Sequence, residues 1–155
     1  MGVIVAREDR VEGGHLLRFT IDNAAKLNSL NRALAEEIVA AAAPLAEDAD
    51  LRLVILTGAG ERAFVGGADI GELAALDQTS AREFITLVHR CCDVFRRLPV
   101  PVIARIDGYA LGAGLELARL DRQDGKEAEA ETAFKDARRI LRKAEDEEHR
   151  RERRV

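Results

Sequence analysis

Two glycine-rich segments carry the residue types that could stabilise a negative charge. The first is Gly66-Gly67-Ala68-Asp69-Ile70, and the second spans residues 108–118 with the order Gly-Tyr-Ala-Leu-Gly-Ala-Gly-Leu-Glu-Leu-Ala. Small side chains let a ligand approach main-chain N–H groups, and the first N–H groups of a helix have no partner within the helix. If both segments precede helices and face one point, they form a pair of donors for a developing oxyanion. Glu116, in the second segment, would add a general acid or base.

Simpler structural roles remain open for the same residues. The glycines could serve only tight turns and close helix packing, and Glu116 could be a first-turn carboxylate that the helix dipole favours. Asp69 is expected to cap its helix rather than to do chemistry, while Tyr109 either lines a pocket or packs. Because both segments follow apolar strands and precede helix starts, their combination favours the oxyanion interpretation over turns alone.

Composition narrows the classes of partner. The chain has 155 residues, of which 47% are hydrophobic, with a net charge of −4 and a pI near 5.5. These values predict one folded domain and argue against nucleic acid as a partner. No apolar run approaches the roughly 20 residues that a membrane-spanning helix needs, so no membrane partner is expected.

The two cysteines, Cys91 and Cys92, are adjacent. Neighbouring residues on a helix point in different directions, so a disulfide is not expected. The sequence His89-Arg90-Cys91-Cys92 matches no standard zinc spacing, which favours helix packing over a metal site. Free thiols and the absence of a secretory pattern at the N-terminus predict a cytoplasmic protein.

Strands alternate with helices along the first three quarters of the chain. Apolar patterns predict strands at residues 3–6, 16–21, 53–56 and 102–106. Helices are predicted at residues 31–45, after Ala68, and at residues 80–98, with Asn28 or Ser29 capping the first of them. Pro44 is expected to kink or shorten that first helix. This alternation predicts an α/β layered domain.

The C-terminal tail differs in composition from the rest. Of the 38 residues from 118 to 155, 23 are charged. Its apolar residues follow helical spacing and form one stripe: Ala130, Ala133, Phe134, Ala137, Ile140, Leu141 and Ala144. We therefore predict two parts, a domain at residues 1–118 and an amphipathic helical tail at residues 119–155. Gln123-Asp124-Gly125 would be the turn of a helical hairpin.

Three stretches in order resemble one known family. They are residues 22–31 (Asp-Asn-Ala-Ala-Lys-Leu-Asn-Ser-Leu-Asn), residues 53–76, which contain the first glycine-rich segment, and residues 99–118, which contain the second. Together they resemble the first half of the crotonase family, the enoyl-CoA hydratase/isomerase superfamily. The resemblance implies a spiral of ββα units that binds acyl-CoA thioesters. It implies no metal and no redox cofactor, since CoA arrives as part of the substrate.

The resemblance also implies roles for individual residues. The thioester carbonyl would lie between the N–H groups of Ala68 and Ala113, where the family usually has glycine at the second position. Glu116 matches the first of the two catalytic glutamates of the hydratases. The positions that match the CoA and acyl path are Lys26, Leu27, Ala68, Asp69, Ile70 and Gly71.

The resemblance ends near residue 118. Complete family members continue into another strand, a second glutamate and C-terminal helices that cover CoA and build trimer contacts, so we expect a truncated crotonase-like domain. Two functions therefore stay open. One is an enoyl-CoA hydratase/isomerase, and the other is a non-catalytic interaction protein. In the second, the apolar stripe of the tail pairs with another subunit, in a homo-oligomer or with a different partner. Burial of that stripe against the chain's own sheet is the simpler alternative.

Overall fold

The computed structural model describes residues 1–9 and 13–119, which form six strands and four α-helices. In chain order these are β1 (Gly2–Asp9), β2 (His15–Asp22), α1 (Arg32–Ala42), β3 (Leu51–Gly58), β4 (Ala63–Val65), α2 (Ile70–Leu73), α3 (Gln78–Arg96), β5 (Val102–Arg105), β6 (Tyr109–Ala110) and α4 (Ala113–Ala118). Short 3-10 helices span Ala24–Lys26 and Ala43–Glu47.

The strands form two sheets. The larger has the order β1-β2-β3-β5, in which β1 and β2 are antiparallel while β3 runs parallel to both β2 and β5. The smaller is the parallel pair of β4 and β6. Parallel neighbours need crossover connections, and these contain α1 and α3. The predicted α/β class is confirmed.

Helices α1 and α3 pack on each other over the larger sheet and enclose the core. Leu34 and Ile38 of α1 are fully buried, as are Phe84 and Phe95 of α3. The ring of Phe95 meets that of Phe19 on β2 edge to face, with centroids 5.1 Å apart. Such pairs add stability beyond the burial of their area.

The predicted cap of α1 is wrong. Asn31 is the N-cap, and its side-chain oxygen accepts a hydrogen bond from Leu34 N. Asn28 has a left-handed backbone with φ 54° and lies inside the preceding loop, so its side chain is committed elsewhere. The helix ends at Ala42 rather than at residue 45, because the chain tightens into the 3-10 helix that contains Pro44.

Helix α3 begins two residues before the predicted start. Asp77 is its N-cap, and a reciprocal pair of hydrogen bonds with Ser80 forms a capping box. Helix α4 ends at Ala118, with Arg119 as its C-cap. The predicted helical hairpin of the tail lies outside the described residues, so the division of the chain at residue 118 stays a prediction.

Candidate active site

The first glycine-rich segment is the turn that leaves β4. Gly67 has φ 98°, a conformation that side chains other than glycine rarely adopt. Asp69 follows as the N-cap of α2 and accepts a hydrogen bond from Glu72 N, so the prediction that Asp69 caps its helix is confirmed. The predicted helix after Ala68 is confirmed, but Ala68 lies two residues before its first residue and does not itself begin it, whereas the oxyanion hypothesis expects it to.

The loop between β2 and α1 holds this turn on both sides. Gly66 N donates to Leu27 O at 2.9 Å, and Leu30 N donates to Gly67 O at 2.7 Å. Asp69 N in turn donates to Leu30 O at 2.8 Å. The last two of these bonds use the carbonyl of Gly67, which precedes Ala68, and the N–H of Asp69, which follows it. Among the hydrogen bonds of the described residues, none involves the N–H of Ala68 itself.

The second glycine-rich segment leaves β6, which pairs in parallel with β4. Leu111 N donates to Val65 O at 3.0 Å and prolongs this pairing by one residue. Gly112 has φ 52° and caps α4, whose first residue is Ala113. The prediction that Ala113 begins a helix is confirmed. Its N–H has no acceptor within the part of the chain that the structure describes, as expected for a first helical residue.

The two turns touch each other. A Cβ atom built on Gly112 would lie 3.7 Å from Gly67 Cα, and one built on Gly67 would lie 3.3 Å from Leu111 O. Because β4 and β6 run parallel, both turns leave the same end of the small sheet. The two turns therefore approach each other closely, and Ala68 and Ala113 directly follow the two glycines. A close pair of main-chain donors is the arrangement that an oxyanion requires.

Glu116 lies in the first turn of α4, with an exposed side chain. Its Oε2 atom is 3.8 Å from Cys92 Sγ, which donates to it from the buried face of α3. Burial, and secondly the negative charge of Glu116, raise the pKa of the Cys92 thiol to about 11. The thiol is therefore protonated at neutral pH. A carboxylate with one oxygen held in this way and an exposed position can exchange a proton with a ligand.

Lys26 and Asp69 form an ion pair at the edge of the first turn. Lys26 Nζ lies 2.7 Å from Asp69 Oδ2, with the lysine side chain mostly exposed and the carboxylate nearly buried. The hydrogen bond from Lys26, followed by that from Glu72 N, lowers the pKa of Asp69 below its ordinary value. Leu27 and Asn28, the next two residues, have φ 56° and 54°, so the loop carries two successive left-handed residues next to the turn.

Large apolar side chains surround the two turns and face solvent. Ile70 is 81% exposed, and Tyr109, Leu111 and Leu115 are each more than half exposed. The sequence predicts no site role for Leu111 or Leu115, and for Cys92 it predicts helix packing alone. A helix-face count could have placed Leu115 on the outer side of α4, whereas the contact between Cys92 and Glu116 joins two helices and has no local signal.

The described residues contain neither a metal-binding cluster nor a membrane-spanning helix. No group of three or more His, Cys, Asp or Glu side chains among residues 1–9 and 13–119 could hold a metal ion. Within the same residues, every helix is too short or too polar to cross a membrane.

Parallel strand ends, paired main-chain donors and an adjacent carboxylate are typical of α/β proteins that act on carbonyl groups. The class of proteins that act on carbonyl groups is large, and sequence similarity identifies the family within it.

Residues 12–120 match the family model described as enoyl-CoA hydratase/isomerase. The short-chain-enoyl-CoA hydratase of Clostridium acetobutylicum is 40% identical over 108 residues, which cover 68% of this chain and 40% of that protein. The crotonyl-CoA hydratase of Syntrophomonas wolfei is 39% identical over 92 residues, covering 59% of this chain and 35% of that protein.

Solved structures give the same result. A crystal structure of an enoyl-CoA hydratase from Bacillus anthracis matches with a TM-score of 0.69 and 35% identity, over 76% of this chain and 45% of that one. The chain belongs to the enoyl-CoA hydratase/isomerase family, and its described residues have the crotonase-like fold. It spans about two fifths of the length of the curated relatives it matches.

Proposed function

We propose that this chain carries the acyl-CoA site of an enoyl-CoA hydratase/isomerase, with a main-chain oxyanion hole and one glutamate for proton transfer. The observation that carries the proposal is the close approach of the Gly67 and Gly112 turns at one end of the small sheet, since Ala68 and Ala113 directly follow these glycines. The family of the chain, and the enoyl-CoA and crotonyl-CoA hydratases among its relatives, support an acyl-CoA thioester as the ligand.

The N–H groups of Ala68 and Ala113 donate to the thioester oxygen as negative charge develops there. Each donor of this kind is worth roughly 3 kcal/mol of barrier. Glu116 then takes a proton from water or carries one between carbon atoms of the acyl chain. Lys26, Leu27 and the segment Ala68-Asp69-Ile70-Gly71 line the path of CoA and acyl chain, and no further cofactor takes part.

Double-bond isomerisation needs a single carboxylate to remove and return a proton. Hydration also requires activation of water and protonation of the α-carbon. General acid–base help is worth roughly 10²–10⁴-fold, so a site with Glu116 alone should hydrate poorly by about that factor. Among the described residues, Glu116 is the one glutamate that the family resemblance assigns to catalysis, and we therefore propose isomerisation as the activity that these residues support best.

The test uses the purified chain with a short enoyl-CoA, following both hydration and movement of the double bond. Glu116→Gln removes the proton-transfer group and should lower turnover roughly 10²–10⁴-fold. Glu47→Gln, at an exposed glutamate of the second 3-10 helix, is the matched control and should leave turnover unchanged. Equal turnover of both variants would contradict the role of Glu116.

A second test removes one main-chain donor. Ala113 is the first residue of α4, a position where proline is tolerated because its missing N–H has no helical acceptor. Ala113→Pro should therefore lower turnover roughly 10²–10³-fold with the helix retained. Ala113→Gly keeps the donor and should preserve turnover. Loss in the glycine variant as well would point to packing instead of a donor.

A second candidate function is a non-catalytic interaction protein. It is favoured by the exposed apolar side chains around the turns, of which Ile70 is 81% exposed. In that case the apolar surface binds a second copy or another subunit. Sedimentation of the purified chain tests it: a stable oligomer with no turnover of any enoyl-CoA would favour this function.

A further inference from the structure

We propose that Cys92 on α3 is a positioning residue for Glu116 on α4, whose carboxylate it orients through a hydrogen bond from its thiol. The inference rests on the proposed function of Glu116. It adds a residue on α3, outside both glycine-rich segments, to the proposed site.

The geometry of the contact supports this role. Cys92 Sγ donates to Glu116 Oε2 at 3.8 Å, a long separation that is typical of a weak hydrogen bond from a thiol. The thiol is 1% exposed and lies in the hydrophobic core between α3 and α4. Few hydrogen-bond donors lie near a carboxylate at the edge of an apolar core. Among the described residues, no hydrogen bond reaches its other oxygen, Oε1, which is left for a ligand.

The chemistry of a buried thiol suits the task. The raised pKa of Cys92 keeps the proton on sulfur at neutral pH, so the group remains a donor. A weak donor fixes the direction of the carboxylate without matching the strength of an ammonium or guanidinium partner. Glu116 can then still accept and release a proton during turnover.

The neighbouring cysteine provides a matched control. Cys91 is also fully buried on α3, and its thiol donates to Ala35 O at 3.3 Å, towards α1. The two residues have the same side chain, the same helix and nearly the same burial. They differ in the acceptor, which is a main-chain carbonyl for Cys91 and the Glu116 carboxylate for Cys92.

The first experiment measures the contact and requires no activity. The S–H stretching band of the full chain is recorded by infrared spectroscopy, and the band of each thiol is assigned with Cys91→Ala. Glu116→Ala, a change at an exposed position, should shift the Cys92 band to higher frequency and leave the Cys91 band in place. A Cys92 band that does not move would overturn the proposal, whatever the function of Glu116.

The second experiment measures the consequence with an enoyl-CoA substrate. Cys92→Ala should lower kcat roughly 3- to 10-fold with little change in KM, because a weak hydrogen bond to a charged group is lost. Cys92→Ser, which keeps a donor, should recover most of the loss, and Cys91→Ala should leave kcat unchanged. Equal losses in the two alanine variants would show a packing role for both cysteines and overturn the proposal.

Failure of the proposed function is distinguishable from failure of this inference. If Glu116→Gln leaves turnover unchanged while Glu116→Ala still shifts the Cys92 band, the contact exists but Glu116 does no chemistry. The positioning role then falls together with the proposed function. If Glu116→Gln abolishes turnover and Cys92→Ala does not lower it, the proposed function stands and the positioning role alone is wrong.

Discussion

At the residue scale, Asn28 is the side chain that joins the loop before α1 to the strands beside it. Its Oδ1 accepts from Asn23 N, and its Nδ2 donates to Ala59 O and to Ala63 O. The residue is fully buried. Asparagine tolerates the left-handed backbone that this position requires better than most residues do. Asn28 thus ties the loop that holds the first turn of the candidate site to the start of β4.

Replacing Asn28 should therefore be costly. Asn28→Ala leaves one buried carbonyl, one partly buried carbonyl and one buried N–H without their partners, and we expect a loss of about 3 kcal/mol in the free energy of unfolding. Urea denaturation measures it. Asn31→Ala, at the partly exposed N-cap of α1, is the control and should cost only about 1 kcal/mol. Equal losses would mean that the hydrogen bonds of Asn28 add nothing beyond a cap.

The ion pair of Lys26 and Asp69 gives a prediction about pH. The fold lowers the pKa of Asp69 below 3.8, so the stabilisation is present above that value and is lost as pH falls through the lowered pKa. Lys26→Met should raise the pKa of Asp69, measured by NMR titration. It should reduce Tm at pH 7 by roughly 1–3 °C, because the lysine is largely exposed.

The difference in Tm between the Lys26→Met variant and the parent chain should vanish once the pH lies below the pKa of Asp69 in both. Arg7→Met serves as the control, since the pair of Arg7 and Asp9 is exposed on both sides, and it should change Tm little at any pH. A Tm difference for Lys26→Met that persists in acid would assign the effect to lost packing of the lysine stem.

The sequence predicted a local feature beside the candidate site, the helix cap, but not the tertiary contacts that hold the site together. Asp69 was predicted as a cap because Asp before a short helix is a local signal. Asn28 was misread as a cap, since nothing local distinguishes a capping asparagine from one whose partners lie about 30 residues further along the chain. The contact of the Cys92 thiol has no local signal for the same reason, because Cys92 and Glu116 are 24 positions apart and meet only through tertiary packing.

At the scale of elements, the packing of α4 on β4 sets the position of the second turn. Gly114 lies in the first turn of α4, where an added Cβ would be only 2.0 Å from Val65 O. Main-chain atoms on both sides leave no side chain that could move aside. The helix therefore approaches the strand as closely as a bare Cα atom allows, and Ala113 is placed by the same contact.

A methyl group at this position should push the helix away. We expect Gly114→Ala to lower the free energy of unfolding by about 3 kcal/mol. It should also abolish activity, because Ala113 N moves with the helix. Thermal unfolding and turnover measure the two effects. Gly2→Ala is the control, since its Cβ would meet only the flexible side chain of Glu37, at 3.1 Å, and a similar loss there would exclude the close approach as the cause.

Elements with strong local patterns could be predicted, and their pairing could not. The apolar runs of β3 and β5 and the periodicity of α3 identified these elements to within a few residues. Strands β4 and β6 have three and two residues, too few to show a period. Their parallel pairing depends on the main chain of distant residues, and it is this pairing that brings the two turns together.

At the scale of the whole molecule, the helical structure of the charged tail at residues 119–155 stays a prediction, which rests on the apolar stripe of the tail. A chain ending at Ala118 should lose helical signal in circular dichroism relative to the full chain, if residues from about 126 to 147 form a helix. The comparison should be made at equal molar concentration. An unchanged helical signal per molecule would show that the stripe forms no helix.

The small sheet of β4 and β6 has a consequence for local opening. Two-stranded sheets are marginally stable by themselves, and this one joins segments that are far apart in sequence through a few main-chain bonds, such as Tyr109 N to Arg62 O and Leu111 N to Val65 O. The larger sheet, by contrast, has β3 enclosed between two neighbours. The amides of Tyr109 and Leu111 should therefore exchange with deuterium well before those of β3. We therefore expect the two turns of the proposed oxyanion hole to separate by local opening many times within the lifetime of the folded core.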